Sequence, residues 1–186
     1  MAVATEQQQT TYQEMTDEQK AIVEMVRGFV DNEILPNAEE YDHEDKFPEP
    51  IVEQMKELGL FGVTIPEEYG GLGLDLTTYT LIQVELSRGW MTLSGVLNTH
   101  FISAWMIKTF GTEEQRRHFL PRMAAGEIRS AYSMPEPHAG SDVQSIRTRA
   151  TRDGDGYSIT GQKMWSTNGL RAGMLTMLVV TDPAAE

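Results

Sequence analysis

The stretch "SIRTRATRDGDGYSIT", Ser145 to Thr160, decides the fold. Ile146, Thr148 and Ala150 alternate with Ser145, Arg147 and Arg149, and "YSIT" alternates again after the turn residues "DGDG". A period of two on both sides of a turn predicts a β-hairpin. Toward the amino terminus that period is lost. "TEEQRRHFLPRMAAGE", 112–127, opens with a Thr cap and acids in the first turn, where the helix dipole favours them. "LTTYTLIQVELSR", 76–88, and "MTLSGVLNTHFISAWMIKTF", 91–110, are longer helical segments, the second apolar enough to lie inside a bundle. "PIVEQMKELG" sets Ile51, Met55 and Leu58 at helical spacing, with Gly59 as its cap. Ile22, Val23, Met25, Val26, Phe29, Val30 and Ile34 do the same ahead of Pro36, behind a capping box of Thr16 and Gln19. The acidic run "EEYDHED" reads as a solvated face with a short helix.

These periods predict an α+β chain. A flexible amino terminus covers 1–15, an all-α helical bundle 16–128, and an incomplete antiparallel β domain 129–186. "MLTMLVV", 174–180, reads as a further, buried strand. So apolar a strand close to the last residue requires another strand or layer over it, so the chain is expected to be part of a longer protein.

Composition excludes several functions. The 186 residues carry 28 Asp and Glu against 15 Lys and Arg, a formal net charge of -13, whose field repels nucleic acid and anionic lipid. No cysteine is present, which removes disulfides, thiolate metal sites and cysteine nucleophiles. The opening "MAVATEQQQTTYQ" has neither the apolar core of a secretion signal nor the arginines of a transit peptide. "MLTMLVV" falls far short of the about 20 residues needed to span a bilayer. The expectation is a soluble, cytoplasmic protein with no membrane partner.

Most local motifs fail on spacing. "GGLGLDL" has Leu76 where a dinucleotide fingerprint needs its third glycine, and "GYSITGQK" has Gln162 where a phosphate loop needs lysine. His43, His100, His118 and His138 show no metal-ligand spacing, so no metal site is expected. The loop "PEPHAGSD", 135–142, differs in kind. Pro135 and Pro137 stiffen it and push Met134 and Glu136 toward extended conformations, and Gly140 lets backbone N–H groups turn to one side. Such a nest suits a phosphate or an electron-rich ring edge, with the Ser141 hydroxyl as a further donor and Tyr132 and Met134 as an apolar wall. A structural turn is the competing reading. "KMWSTNG", 163–169, then offers a flat indole at an apparent strand end in Trp165, beside the short donors Thr167 and Asn168. A planar cofactor with polar edges fits both stretches; a core tryptophan and a closing Asn-Gly turn would also explain the second.

The pair "MPEPHAGSD" and "QKMWSTNG" resembles the two flavin-contacting signatures of the acyl-CoA dehydrogenases. "FPEPIVEQMKELGLFGVTIPEEYGGLGLD" and "FGTEEQRRHFLPRMAAGE" resemble that family's helical amino-terminal domain, so the likeness runs from about residue 16 to the end. It covers the helical domain and the first part of a middle β domain. The resemblance implies a flavoprotein that binds FAD, oxidises an acyl-CoA to the trans-2-enoyl-CoA and passes electrons to an electron-transfer flavoprotein. It also implies a homodimer or homotetramer of the longer protein. It places Tyr132, Met134, Pro135 and Ser141 along the flavin and its pyrophosphate, Trp165 against the isoalloxazine, and Ser166 and Thr167 beside it, with Thr167 near N5. Ser141 would also approach the acyl-CoA, and Ser94, Asn98 and Ile102, four apart on one helix, would line the acyl pocket.

Two departures qualify that picture. Where the family usually has threonine before the loop glutamate, this chain has Pro135, which offers no hydroxyl and no N–H, so a flavin donor is expected to be missing. The family's catalytic glutamate lies beyond residue 186, and no catalytic residue is assigned within the chain. Glu136 belongs to the loop and is not the base. A flavin oxidase or monooxygenase on the same scaffold, or a non-catalytic subunit or interaction module, are the other readings.

Overall fold

The structure, a computed structural model, describes residues 15–182. The segment 1–15 expected to be flexible lies outside the described residues except for Met15. Helices α1 (Asp17–Phe29), α2 (Ala38–His43), α3 (Glu49–Glu57), α4 (Leu76–Phe110) and α5 (Glu113–Ala124) precede strands β1 (Ser130–Ser133), β2 (Arg149–Asp153), β3 (Gly156–Thr160) and β4 (Met174–Met177). Helix α4 is broken at Trp90, where φ is -162° and ψ 114°. The chain divides into two compact units. One holds the described residues to Leu58 with Leu74–Ser94; the other holds Gly59–Gly73 and everything from Gly95 onward.

In the first unit α1 starts at the capping box expected from its sequence: Gln19 N–H donates to Thr16 Oγ1 and Thr16 N–H to Gln19 Oε1, each at 3.1 Å. Val23, Val26, Phe29, Val30 and Ile34 are buried, whereas Met25, which the spacing also placed on the apolar face, is exposed. A π-helical turn over Val30–Ile34 carries the chain to Pro36, closed by Leu35 N–H on Val30 O at 2.9 Å. There the backbone of α4 comes so close that a Cβ on Gly89 would meet Val30 Cγ1 at 2.7 Å. Only glycine permits that approach. The buried Glu85 carboxylate accepts from Arg27 at 2.6 Å and Arg88 at 2.9 Å, and Arg88 reaches on to Asp31 at 2.8 Å, which ties α1 to the first part of α4.

The second unit contains Ile65, Tyr69, Ala104, Leu120, Met123, Ala124 and Ile128 as one core, with Ile107, Phe119 and Met174 packed on it. β1 and β4 pair in parallel, Ser130 opposite Met174 and Ser133 opposite Met177. β2 and β3 form the expected antiparallel hairpin, Arg149 opposite Thr160 and Asp153 opposite Gly156. The α+β order is as the sequence predicts, and the antiparallel expectation describes the hairpin; β1 and β4 run the same way because the long chain between them acts as a crossover. Two further details differ from the reading of the sequence. The first hairpin strand begins at Arg149 because Val143–Ser145 forms a 3-10 turn. β4 is shorter and more open than a buried strand, with Leu175 47% exposed, because β1 is the one strand it pairs with among the described residues.

His100 sits fully buried in this second unit, its ring edge-on to Phe61 at 5.0 Å between centroids. Burial pushes its pKa down from 6.5 to about 4, against the opposing pull of the Phe61 and Met123 backbone. A folded pKa below the unfolded one means that the unfolded chain takes up the proton first, so the contribution to stability is complete above pH 6.5 and lost as the pH falls toward 4. Stability should fall by up to about 1.4 kcal/mol per pH unit in that window from this one group. Urea midpoints measured across the window for the protein and for His100→Leu will check it: the variant should lose much of the slope, and an unchanged slope would refute the assignment.

Candidate functional site

The loop after β1 is organised around the side chain of Glu136. Its carboxylate, 1% exposed, accepts from Arg147 N–H at 2.7 Å, from Thr148 N–H at 2.9 Å and from Lys163 Nζ at 2.9 Å, with His138 Nε2 at 3.5 Å. Burial alone would raise its pKa, but the Thr148 and Lys163 side chains with the Arg147 and Thr148 backbone N–H groups outweigh it and hold the carboxyl well below the usual carboxylate range. Glu136 is therefore ionised, enclosed and fully engaged. That environment suits an anchor and not a proton acceptor. The turn itself closes through Glu136 N–H to Ala139 O at 2.7 Å.

The second signature is fastened to the first by direct bonds. Lys163 Nζ also donates to Met134 O at 2.9 Å, and Met164 N–H donates to Pro135 O at 2.9 Å. Ser133 Oγ and Ser166 Oγ share a hydrogen bond of 2.5 Å. Between those anchors Trp165 has φ 57° and its side chain is 81% exposed. The expectation of a strand end at Trp165 is not met, because residues 161–166 form no ladder and the left-handed backbone turns the indole outward. The competing picture of a core tryptophan fails for the same reason.

Asn168 is the other left-handed residue here, with φ 65°. Its Nδ2 donates to Val96 O at 3.0 Å, Thr99 Oγ1 at 3.1 Å and Ser130 O at 3.2 Å, while Thr176 donates to Ser103 Oγ at 2.8 Å. These bonds fix the turn after Trp165, and the β1–β4 pair, onto the second part of α4.

Of the residues singled out in the sequence, Tyr132, Met134, Pro135 and Ser166 are half-buried and Ser141, Trp165 and Thr167 are exposed. The structure bonds Met134 and Pro135 to Lys163 and Met164, and Ser166 to Ser133, on either side of Trp165. Ser94 and Ile102 are half-buried and Asn98 exposed on α4. Sequence reasoning missed Lys163, Thr148 and the anchoring role of Asn168. An acid between two prolines was visible in the sequence, but nothing local marked its distant partners. Among the described residues no group of His, Asp or Glu could hold a metal ion, and no helix is long and apolar enough to cross a membrane.

The family model for the acyl-CoA dehydrogenase N-terminal domain matches residues 16–127, and that for the acyl-CoA dehydrogenase middle domain matches residues 131–186. An acyl-CoA dehydrogenase of Bacillus subtilis is 36% identical over 170 residues, covering 91% of this chain and 45% of the relative. A short-chain specific acyl-CoA dehydrogenase of Clostridium acetobutylicum is 38% identical over 169 residues, 90% of this chain and 45% of that protein. Among solved structures, a glutaryl-CoA dehydrogenase from Mycobacterium smegmatis in complex with FADH2 superposes with a TM-score of 0.84 at 32% identity, covering 90% of this chain and 44% of that one. The chain spans less than half the length of these relatives. It belongs to the acyl-CoA dehydrogenase family.

The bonding at Asn168 yields a stability prediction. Asn168→Ala loses the two amide N–H donors that Val96 O, Thr99 Oγ1 and Ser130 O share and leaves a Cβ without local support at positive φ, at a cost of about 2–4 kcal/mol. Asn168→Gly, which removes the backbone penalty alone, should recover roughly 1 kcal/mol of that. Urea denaturation of the three proteins will show the order, and equal midpoints for Asn and Ala would contradict it.

Proposed function

We propose that this chain forms the flavin-facing part of an FAD-dependent acyl-CoA dehydrogenase that converts an acyl-CoA to the trans-2-enoyl-CoA. The observation that carries the reading is the Trp165 indole, exposed on a left-handed backbone whose two neighbours are tied to the Pro135 loop and β1. A bulky residue at positive φ costs about 1–3 kcal/mol, and an exposed indole forfeits its burial. Both costs are explained where a flat, partly apolar ligand covers the ring. The solved relative with bound FADH2 supports the choice of ligand.

The residues present fit that group. Trp165 supplies the flat face, Tyr132 and Met134 the half-buried wall, and the exposed Ser141 and Thr167, with Ser166 behind them, the hydroxyls for polar edges. FAD, when bound, supplies the two-electron oxidation of the Cα–Cβ bond; the protein supplies orientation and electrostatics. Ser141, Ser94, Asn98 and Ile102 are the candidates for contact with acyl-CoA. The family resemblance assigns the base that takes the α-proton to a glutamate beyond Glu186, and the enclosed Glu136 is not proposed for that role. An electron-transfer flavoprotein is the proposed acceptor and a homodimer or homotetramer the proposed assembly. The helical domain is taken as 16–128 and the start of the middle domain as 129–186, in a cytoplasmic enzyme.

Pro135 sharpens the proposal. It has no hydroxyl and no N–H, and its carbonyl is already occupied by Met164 N–H. The natural full-length protein should purify with FAD that an acyl-CoA bleaches in the absence of oxygen. Trp165→Ala should weaken FAD binding roughly tenfold, in line with the worth of an aromatic stacking partner. Pro135→Thr should tighten FAD or shift its reduction potential. Anaerobic absorbance checks the bleaching, fluorimetric FAD titration the two affinities and a redox titration the potential; a natural protein that neither carries nor takes up FAD would reject the reading.

A further inference from the structure

We propose that Lys163 and Glu136 are a positioning pair that locks the Pro135–Ser141 loop and Trp165 into one rigid ligand platform and keeps the charge beneath it balanced; this rests on the flavin reading above. The Lys163 side chain is 7% exposed, and its ammonium bridges Met134 O and Glu136 Oε1, both at 2.9 Å. On its other oxygen and flank the Glu136 carboxylate holds Arg147 and Thr148 N–H, at the entry to β2. The exit of β1, the loop, the entry of β2 and the segment before Trp165 thus meet at one buried ion pair.

Trp165 sits inside a run of anchors. Lys163 is held through its ammonium, Met164 through its N–H on Pro135 O, and Ser166 through its hydroxyl on Ser133. Trp165 alone in that run points outward, and its left-handed backbone persists because the residues on either side are fixed. Releasing Lys163 frees the first of those anchors.

The pair also makes an electrostatic signature. Glu136→Gln leaves a buried ammonium uncompensated beneath the platform, and Lys163→Met leaves a buried carboxylate that two N–H donors still keep ionised. A nearby positive charge favours the reduced, more anionic flavin, and a negative charge disfavours it. The two variants should therefore move the flavin potential in opposite directions, upward for E136Q and downward for K163M. A purely structural loosening would move both the same way.

The test uses the natural full-length protein. Amide exchange at Arg147, Thr148 and Met164 is read without flavin, and the reduction potential is read with FAD bound. K163M should speed exchange at Met164 at least tenfold, K163R should restore protection, and the potentials should shift with opposite signs. Shifts of the same sign, or Met164 still protected in K163M, overturn the inference. If K163M fails to fold, the E136Q/K163M variant removes both charges; it should keep a potential near that of the natural protein while losing Met164 protection, and retained protection overturns the inference. Should the natural protein not bind FAD, the flavin reading fails, and the exchange at Met164 still decides whether the clamp exists.

Discussion

A carboxylate withdrawn from water must be met by donors, and the way Glu136 is met determines the arrangement of everything around it. Two prolines flank it, so the loop is short of its own N–H groups, and the carboxylate turns to the entry of β2 and to Lys163. Those partners are far apart in sequence. Satisfying one charge therefore draws together β1's exit, the hairpin's entry and the segment that carries Trp165. Replacing such a pair with apolar residues is often tolerated thermodynamically, whereas removing one partner alone leaves a buried charge uncompensated.

The two left-handed residues show how that arrangement is used. Asn168 supports its own conformation: its amide donates to Val96, Thr99 and Ser130, and asparagine tolerates positive φ better than most residues. Trp165 has no such local remedy. Its backbone is sustained by its neighbours' bonds while its ring remains in solvent. A strained residue left in solvent is what the proposed flavin contact would account for.

Much of the fold was legible because period and capping are local. The Thr16 and Gln19 box, the helices to Ala124 and the "DGDG" hairpin all follow from neighbouring residues. What was not legible is long-range. The parallel pairing of β1 with β4 depends on a crossover that no periodicity reports. The break at Trp90, where the ring stacks on Tyr41 at 6.2 Å, falls between the two helical segments that the sequence separates at Arg88 and Met91. Within the site, "PEPHAGSD" and "KMWSTNG" stood out through prolines, glycine and tryptophan. Lys163 and Thr148 did not, because a lysine and a threonine carry no signal until the carboxylate they face is placed.

The residues of the proposed site are of two kinds. Ser141, Trp165 and Thr167 are exposed, whereas Glu136 and Lys163 are enclosed and engaged. Replacing a side chain of the first group leaves the bonds of the scaffold in place; replacing one of the second breaks them. Pro135 lies between them. Its carbonyl, a group that every amino acid possesses, accepts from Met164 N–H, so that bond does not depend on which side chain stands at this position. What the proline itself contributes to the scaffold is a stiff loop with one N–H fewer, the lack that turns the Glu136 carboxylate toward partners distant in sequence.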